Sequence, residues 1–531
     1  MRYLVFFLAV FAYMSIQAQE ASFSLELRPL AINEFGGIQS FSYGQADGKI
    51  LIIGGRLDGL HRRQPWASFD IDGHNTELIV IDPESGEKWT RSLDGLSSSI
   101  QEQLSSTNME FYQEGDFLYC LGGYGYSASQ SNHTTYPYLT AVDVPGVVEA
   151  ITKDQEIAGY FRQIEELAFQ VTGGKLKKIE DVYHLLGGQK FIGRYNPMGP
   201  DHGPGFIQDY TNSIRRFTLE DDGLNISIQL LESYEDRANL HRRDYNAEPQ
   251  IMPDGSEGIT MFSGVFREDV DWPFLTSVDV REEGYTHNDS FKQKFNHYHC
   301  PVPMYSVEAN MMFNVFFGGI ARYYEEDGMI VRDDDVPFVK TIALVMRDKD
   351  GNMKEEKLPI EMPGYLGAGA EFIAHPNLLT YSNGVIDYDL LGNDTVLLGY
   401  ILGGINSSDR NIFFINNGEE STASNALYEV MLVKNSLTST SAESSDLFDL
   451  KIRSEYNGAY NVGYRLTKST NVEAILSDMT GRLIKSFHLG HQLPGTHFLE
   501  LRAGLFDGSG IYVLKLATDN EEISKQFFVS N

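Results

Sequence analysis

Two copies of the tetrapeptide Leu-His-Arg-Arg, at 60–63 and 240–243, are the first feature of this sequence that suggests binding chemistry. The chain that contains them is acidic, with a formal net charge of −32. An arginine guanidinium donates two parallel hydrogen bonds to a carboxylate, sulfate or phosphate group. Adjacent arginines in an acidic chain therefore predict either an anion-binding site or ion pairs with nearby acidic residues such as Asp70, Asp244 and Glu248.

Further Arg, His, Tyr and Trp residues occur in the long segments between predicted strands. Aromatic rings stack on sugar rings and other flat groups, while arginine supplies the contact to an anion. An anionic or carbohydrate ligand is the sharper hypothesis, and loops held by salt bridges are the alternative. The candidate ligand-binding residues are Arg62, Arg63, Trp66, Arg194, Tyr195, Arg242, Arg243, His297, His299 and Arg322.

The segment His297-Tyr298-His299-Cys300 has the spacing of a possible metal site, because residues two apart on a strand point to the same side. Histidines packed in the protein interior are the favoured interpretation, so we predict no metal and no cofactor. The segments 70–75 and 348–352 imitate part of a calcium loop but lack its full ligand series, which favours turns. No nucleophile elbow, P-loop or dinucleotide-binding motif is found.

A short repeat organises most of the chain: a run of strand-forming residues that ends in two glycines. Five full copies and one degenerate copy end at Gly55, Gly123, Gly188, Gly264, Gly319 and Gly404. A strand and a polar turn precede the copies, and a long loop and further strands follow them. Four strands in each repeat predict the blades of a β-propeller.

This pattern resembles the kelch family, whose blades carry a Gly-Gly pair at the end of the second strand. The resemblance covers about residues 20–435 and implies an all-β, six-bladed kelch-like propeller over residues 19–434. The sixth repeat lacks its fourth strand. We therefore expect a strand at about residues 22–27 to complete that blade and close the ring.

In a propeller, the loops after the second strand and the connections between blades emerge on one face, and the hairpin turns emerge on the other. Both Leu-His-Arg-Arg copies then lie on the long-loop face, on opposite sides of the ring. Function is expected there, because long surface loops on a rigid scaffold commonly carry binding residues.

The chain has two cysteines, Cys120 and Cys300, which fall in the second and fifth repeats. These blades face each other across a six-bladed ring, and a disulfide requires Cα atoms within about 7 Å. Free, mostly buried thiols are therefore predicted.

The first residues of the chain are typical of export. Residues 1–18 combine a positive charge, an apolar run too short to span a bilayer and a small residue at the end, as in a secretory signal peptide. No later run predicts a membrane span. The acidic composition also argues against a nucleic-acid partner, because phosphate binding requires a basic face.

Residues 435–446 are rich in Ser and Thr and are predicted to be a linker. Residues 447–531 resemble the C-terminal sorting domain of type IX secretion cargo, type A, on the turn at 478–482, the Gly-Ile-Tyr strand at 510–512 and the Lys-x-x-x-Val strand at 525–529. The resemblance implies a small β-sandwich and recognition by the type IX secretion machinery. Without its signal peptide and sorting domain, the protein would be secreted or attached to the outer-membrane surface.

The expected function is binding of a glycan, an anionic ligand or a surface protein on the long-loop face. One alternative is an enzyme acting on sugar acids, similar to the kelch-type sialate mutarotases, with His241, Glu248 and Glu371 as candidate general acids or bases. Another is a structural or adhesion component of the cell surface. The sequence leaves open whether the chain is an enzyme and favours a binding function.

Overall fold

Over the residues that it describes, the computed structural model shows an all-β protein with two short α-helices. It describes residues 23–198, 205–298, 300–392, 395–434, 450–454, 459–466, 469–478, 482–493, 495–506, 508, 510–518 and 522–529. The predicted signal peptide, residues 1–18, and the predicted linker, residues 435–446, lie outside the described residues. The prediction of an all-β fold is confirmed.

Six antiparallel sheets, here numbered 1 to 6 in chain order, contain four main strands each. The first strand of each sheet is called its inner strand. Sheet 1 consists of Ser42–Ala46, Lys49–Ile53, Glu77–Ile81 and Lys88–Ser92. Sheet 2 consists of Thr107–Glu114, Phe117–Ser127, Tyr138–Asp143 and Phe161–Glu165. Sheet 3 consists of Lys175–Ile179, Val182–Leu186, Ser213–Asp221 and Ile226–Glu235.

The other three sheets repeat this order. Sheet 4 consists of Asn246–Ile251, Glu257–Phe262, Ser277–Arg281 and Gly284–Asn288. Sheet 5 consists of Pro301–Ser306, Met311–Phe317, Thr341–Arg347 and Met353–Glu361. Sheet 6 consists of Ala370–Ala374, Thr395–Gly403, Leu427–Lys434 and Phe23–Leu30. The last of these strands comes from the start of the described chain and pairs antiparallel with Leu427–Lys434.

The six sheets pack side by side in a closed cycle. Each consecutive pair shares an apolar cluster, as Leu51 of sheet 1 does with Leu118 of sheet 2. The cycle closes because Ile52 of sheet 1 and Leu402 of sheet 6 belong to one buried cluster. All six inner strands contribute residues to a common cavity, so they surround one axis.

The Gly-Gly pairs sit where each second strand ends and the chain turns into the loop. Both glycines have positive φ in all five full copies, and in the degenerate copy Ser263 and Gly264 take the same conformation, at φ 52° and 110°. At Gly122 a Cβ atom would lie 2.0 Å from the carbonyl oxygen of Val171. The pair is therefore required by both backbone conformation and close approach to the next sheet.

Several short strands lie in the loops at the long-loop end. Asn132–Thr135, Gln189–Ile192 and Ile207–Tyr210 extend sheet 2 across the loops of sheets 2 and 3. The hairpins Tyr323–Glu326 with Met329–Arg332, and Ile405–Ser407 with Ser421–Ala423, lie in the loops of sheets 5 and 6. At the opposite, hairpin-turn end, Ile386–Asp387 pairs in parallel with the inner strand of sheet 5.

The helices are short. The α-helices span Ser98–Leu104 and Val144–Thr152, and the 3-10 helices span Ile71–Gly73, Ala158–Tyr160, Leu167–Phe169, Tyr388–Leu390 and Ala503–Leu505. In the part of the chain that the structure describes, no helix has the length and apolar character needed to cross a membrane.

The C-terminal segment has its own apolar core, which includes Val462, Leu476 and Leu514. Two antiparallel sheets enclose that core. One sheet consists of Leu450–Ser454, Tyr460–Leu466 and Gly495–Leu501. The other consists of Leu483–Gln492, Thr470–Asp478, Gly510–Thr518 and Glu522–Val529.

Both cysteines are free and buried, which confirms the prediction from sequence. Cys120 packs between sheets 1 and 2, and Cys300 packs between sheets 5 and 6. Burial raises the pKa of the Cys120 thiol to about 12, which suppresses the reactive thiolate. We expect a thiol reagent to leave both cysteines unmodified in the folded protein and to modify both in denaturant. Rapid labelling of either thiol under native conditions would contradict this packing.

Candidate functional site

Two cavities lie on the axis, one at each end of the inner strands. The upper cavity, at the long-loop end, has a volume of about 150 Å³, and all six sheets contribute to its wall. The lower cavity, at the hairpin-turn end, has a volume of about 200 Å³. A narrow passage of about 20 Å³ lies between them and shares lining residues with both.

A series of backbone hydrogen bonds around the axis forms the floor of the upper cavity. The amide of Ser40 donates to Gly369 O at 2.7 Å, and Asn108 donates to Ser40 O at 3.1 Å. Around the axis, Gly173 donates to Asn108 O at 3.3 Å and Asp244 donates to Gly173 O at 2.8 Å. Each of the five residues precedes or begins an inner strand and has a left-handed φ between 45° and 69°. In sheet 5 the position two residues before the inner strand is that of His299, which lies outside the described residues.

These backbone hydrogen bonds fix the positions of the polar groups at the cavity floor. The Tyr298 hydroxyl lies 3.3 Å from Asn108 Oδ1, to which it donates. The Asn108 carbonyl also accepts from Thr172 Oγ1 at 3.0 Å. Asn and Asp tolerate the left-handed conformation better than most residues, and can also present their side chains to the cavity.

Arg243 supplies the cationic group of the upper cavity. Its Nε donates to the Tyr210 hydroxyl at 2.8 Å and its Nη1 pairs with the Asp244 carboxylate. Its backbone bonds in both directions with Val265, which holds the segment extended. Among the described residues no hydrogen bond involves its Nη2, so one edge of the guanidinium keeps donor capacity for a ligand.

Arg56 is the second arginine in the wall, and contacts within the protein occupy all three of its guanidinium nitrogens. It is 1% exposed and bonds Asp58 at 2.6 and 2.5 Å through two nitrogens. Its guanidinium also lies 5.2 Å from the centre of the Phe69 ring. Arg56 therefore supports the wall, and Arg243 is the arginine available to a ligand.

Aromatic rings form one side of the upper cavity. His61, Phe69 and Tyr195 contact one another, with the ring centre of His61 5.5 Å from Phe69 and 5.1 Å from Tyr195. Burial and the nearby Arg243 lower the pKa of His61 to about 4, so its imidazole is neutral near pH 7. Gln39 and Gln189 add amide groups to the same wall. Apolar faces beside amides and one free guanidinium edge suit a sugar that carries an acidic group.

Of the nine candidate ligand-binding residues that the structure describes, Arg243 and Tyr195 lie in the wall of the upper cavity. The neighbouring Arg242 is fully buried and donates to Asn239 O, Ser263 O and Thr276 O at 2.5–2.8 Å. Burial lowers its pKa to about 9. Arg242 therefore holds three loop carbonyls together.

Loop arginines account for most of the remaining candidates. Arg63 lies over the Phe414 ring at 5.1 Å, and Arg194 donates to the carbonyl of Trp66. Arg322 pairs with Asp334 at 2.7 Å and stacks on Trp272 at 3.6 Å. The side chains of Arg62 and Trp66 are exposed, and the candidate His299 is outside the described residues.

His297 is buried away from solvent. Its Nδ1 lies 2.7 Å from Ser263 Oγ, and burial lowers its pKa to about 3. Among the described residues, no group of three or more His, Cys, Asp or Glu side chains has an arrangement that could hold a metal ion.

The three candidate catalytic residues lie outside the upper cavity. His241 stacks on Tyr210 with ring centres 3.7 Å apart and has Nδ1 2.6 Å from Asn212 Oδ1. Glu248 and Glu371 line the lower cavity instead. The sequence did not single out Asn108, Gln39 or Gln189, because isolated amides in loops carry no pattern. The only sequence feature that these three residues share is their position, one to three residues from the end of a predicted strand.

Glu110, on the inner strand of sheet 2, gives the fold a pH dependence. Burial raises the pKa of its carboxyl from the ordinary 4.5 to about 8, although Oε1 accepts from the amide of Gly174. The folded protein keeps this proton between about pH 4.5 and 8, where the unfolded chain releases it, so stability falls as pH rises through this window. Glu110→Gln should weaken that fall in thermal unfolding measured at about pH 5 and about pH 8.5. An unchanged pH slope would contradict it, with the exposed Glu149→Gln as the control.

No protein-family model and no curated protein matches the chain. Among solved structures, the chain is similar to one titled "Structure of YjhT", at 9% sequence identity and a TM-score of 0.38. The match covers 75% of this chain and 97% of that chain. The function of this chain is therefore inferred from the residues that line the upper cavity.

Proposed function

We propose that the chain is a six-bladed kelch-like β-propeller with a C-terminal β-sandwich sorting domain, and that it binds a small sugar acid, free or at the end of a glycan, in the upper cavity. The closed cycle of six four-stranded sheets and the Gly-Gly turns support the propeller. Two sheets around a separate apolar core support the sandwich.

One observation carries the binding proposal: a guanidinium edge, aromatic faces and amides meet in a single cavity on the axis. Arg243 offers donors to a carboxylate, and Tyr195 and Phe69 offer flat apolar surfaces. The amide oxygens of Gln39, Gln189 and Asn108 each accept one hydrogen bond within the protein and keep a second lone pair for a ligand hydroxyl.

The size of the cavity restricts the ligand. Its volume of about 150 Å³ is smaller than the roughly 300–1,000 Å³ of pockets for drug-sized molecules. It suits one monosaccharide unit better than a peptide or a nucleotide. A longer glycan would insert its terminal residue and leave the remainder at the loop surface.

A glycan array probed with the full chain tests this function, followed by titration with N-acetylneuraminic acid, galacturonic acid and neutral galactose. The acidic sugars should bind and galactose should bind much more weakly. Because the wall histidine His61 is already neutral, affinity should stay constant between about pH 6 and 8. Absence of binding across acidic and neutral glycans would leave a structural or adhesion role as the better explanation.

An enzyme acting on sugar acids is the second candidate, and one observation favours it. Asp244, Tyr298 and the neutral His61 line the same cavity as Arg243, so groups able to transfer protons lie near the proposed carboxylate site. These replace His241, Glu248 and Glu371 as candidate acids and bases. NMR measurement of anomer exchange in N-acetylneuraminic acid tests this second candidate. Faster exchange in the presence of the protein supports catalysis, and an unchanged rate excludes this enzyme activity.

The route out of the cell is part of the proposal. Residues 1–18 would direct export, and residues 447–531 would engage the type IX secretion machinery before removal, leaving the propeller secreted or on the outer-membrane surface. In a bacterium with that system, a chain truncated after residue 446 should remain in the periplasm. Surface exposure of the truncated chain would contradict the sorting role.

A further inference from the structure

The connections at the hairpin-turn end of the axis differ sharply in length. Between inner and second strands, sheets 1, 2 and 3 use two residues each, sheet 4 uses five and sheet 5 uses four, at 47–48, 115–116, 180–181, 252–256 and 307–310. Sheet 6 uses residues 375–394 at the same position. A tight turn would suffice for the fold, so the long connection suggests a separate role.

This connection folds back over the axis. Ile386–Asp387 pairs with Met304 and Tyr305 of sheet 5, and Val385 is buried against the same region. Asn383 Nδ2 donates to Gln250 O of sheet 4 at 3.1 Å. Asn383, Gly384 and Ile386 thereby form part of the wall of the lower cavity. The cavity has a dedicated wall that the other five connections do not provide.

Paired charges of both signs face this cavity from three sheets. Lys177 Nζ of sheet 3 lies 3.3 and 3.4 Å from the two carboxylate oxygens of Glu248 in sheet 4. Lys175 Nζ lies 3.8 Å from Glu371 Oε1. Glu371 belongs to sheet 6, which is opposite sheet 3 in a cycle of six, so this second pair spans the axis.

The two ion pairs are loose. Their separations exceed the 2.7–2.9 Å typical of charge-assisted hydrogen bonds, and each ammonium group has three donors. Burial raises the pKa of Glu248 and of Glu371, and the neighbouring lysines Lys175 and Lys177 act in the opposite direction. A ligand that contacts both members of a pair can improve the pairing of every charge in the cavity.

The signs of these charges define the ligand class. Two lysines balance two glutamates, and Glu110, with a pKa of about 8, is mostly uncharged at pH 7. A simple anion or cation would leave one buried charge without a partner, which is costly. A molecule with one ammonium and one carboxylate avoids that cost, since its carboxylate faces the lysines and its ammonium faces the glutamates.

We propose that the lower cavity is a second binding site, separate from the sugar site, and that it takes a small zwitterion such as a free α-amino acid. The carboxylate would lie between Lys175 and Lys177, which are two residues apart on one strand and so point to the same side. The ammonium would lie beside Glu371 and Glu248.

Titration of the full chain with three forms of one small molecule tests this site. L-Alanine is the zwitterion, L-alaninamide is the corresponding cation and N-acetyl-L-alanine is the corresponding anion. L-Alanine should bind, and each of the other two should bind about tenfold or more weakly. Equal binding of alaninamide would overturn the assignment in favour of a cation site. Binding of none of the three would show that the ion pairs only join the inner strands.

Variants separate this site from the sugar site. Glu371→Gln and Glu248→Gln should each weaken L-alanine binding about tenfold or more, while the exposed Glu149→Gln should not change it. Circular dichroism checks that each variant is folded. Arg243→Met should leave L-alanine binding intact, so failure at one cavity is distinguishable from failure at the other. Wild-type L-alanine affinity in both glutamine variants would overturn the proposal.

Discussion

Replacement of Arg242 by methionine is expected to lower the free energy of unfolding by about 3–5 kcal/mol. The guanidinium is fully buried and donates to three main-chain carbonyls and to Thr276 Oγ1. Methionine fills much of the same volume but provides no donor. Each buried carbonyl left without a partner costs about 1–3 kcal/mol.

The measurement is denaturant or thermal unfolding of the full chain, compared with Arg281→Met as the matched control. Arg281 lies near the surface and pairs with Asp254 on a hairpin turn, so its loss should change stability by less than about 0.5 kcal/mol. If Arg242→Met were as stable as the control, the assignment of Arg242 to the protein interior would be wrong.

Replacement of the next residue, Arg243, is expected to affect binding instead. Arg243→Met should reduce affinity for an acidic sugar by about 10- to 100-fold, equivalent to the loss of about 1.4–2.8 kcal/mol of a charge-assisted contact. The effect on neutral sugars should be smaller, because their contacts to amides and aromatic rings remain. Titration of wild type and variant with N-acetylneuraminic acid and galactose measures both.

The variant also leaves Asp244 without its cationic partner in the cavity wall. Asp244→Asn combined with Arg243→Met removes this unpaired charge and serves as the control for simple repulsion of the ligand. The double variant should still bind acidic sugars poorly. Recovery of wild-type affinity in the double variant would mean that Arg243 only neutralises Asp244 and does not contact the ligand.

The two arginines illustrate what the sequence can and cannot predict. Their adjacency in Leu-His-Arg-Arg marks both as candidates, yet successive residues of an extended segment point to opposite sides. Arg243 pairs through its backbone with Val265, which turns its side chain to the cavity and that of Arg242 into the interior. The side is set by a strand partner more than 20 residues away, and the local sequence does not specify it.

The first copy of the tetrapeptide behaves differently. His61 lines the upper cavity, whereas Arg62 is exposed and Arg63 lies over Phe414. Asn416, from the loop of sheet 6, bonds to the carbonyls of Leu60 and His61 and so fixes this orientation. The same four residues therefore place a histidine in the cavity in one copy and an arginine in the other.

The sequence predicts the positions of the strands better than it predicts the residues of the site. The Gly-Gly pairs mark the ends of second strands because two consecutive left-handed residues strongly favour glycine. The sequence pattern does not predict the helix Val144–Thr152, although Asp143 caps it by accepting a hydrogen bond from the amide of Gly146 at 2.9 Å. Apolar residues of the helix follow directly on those of the strand Tyr138–Asp143. The change from the two-residue period of a strand to the 3.6-residue period of a helix is therefore not visible in the sequence.

The series of backbone hydrogen bonds around the axis cannot be predicted from the sequence either. Ser40, Asn108 and Asp244 share a backbone conformation and a position beside an inner strand, but their side chains have no common chemistry. The hydrogen bonds that join them connect different sheets, so they follow from the closure of the cycle and not from any local motif.

The most direct test of the central claim is a crystal structure of the full chain soaked with N-acetylneuraminic acid. We predict density for the sugar in the upper cavity, with its carboxylate about 2.7–3.1 Å from the guanidinium of Arg243 and its ring against Tyr195 or Phe69. Density only at the exposed loop arginines, such as Arg62, or only in the lower cavity, would contradict the claim that the upper cavity is the sugar site.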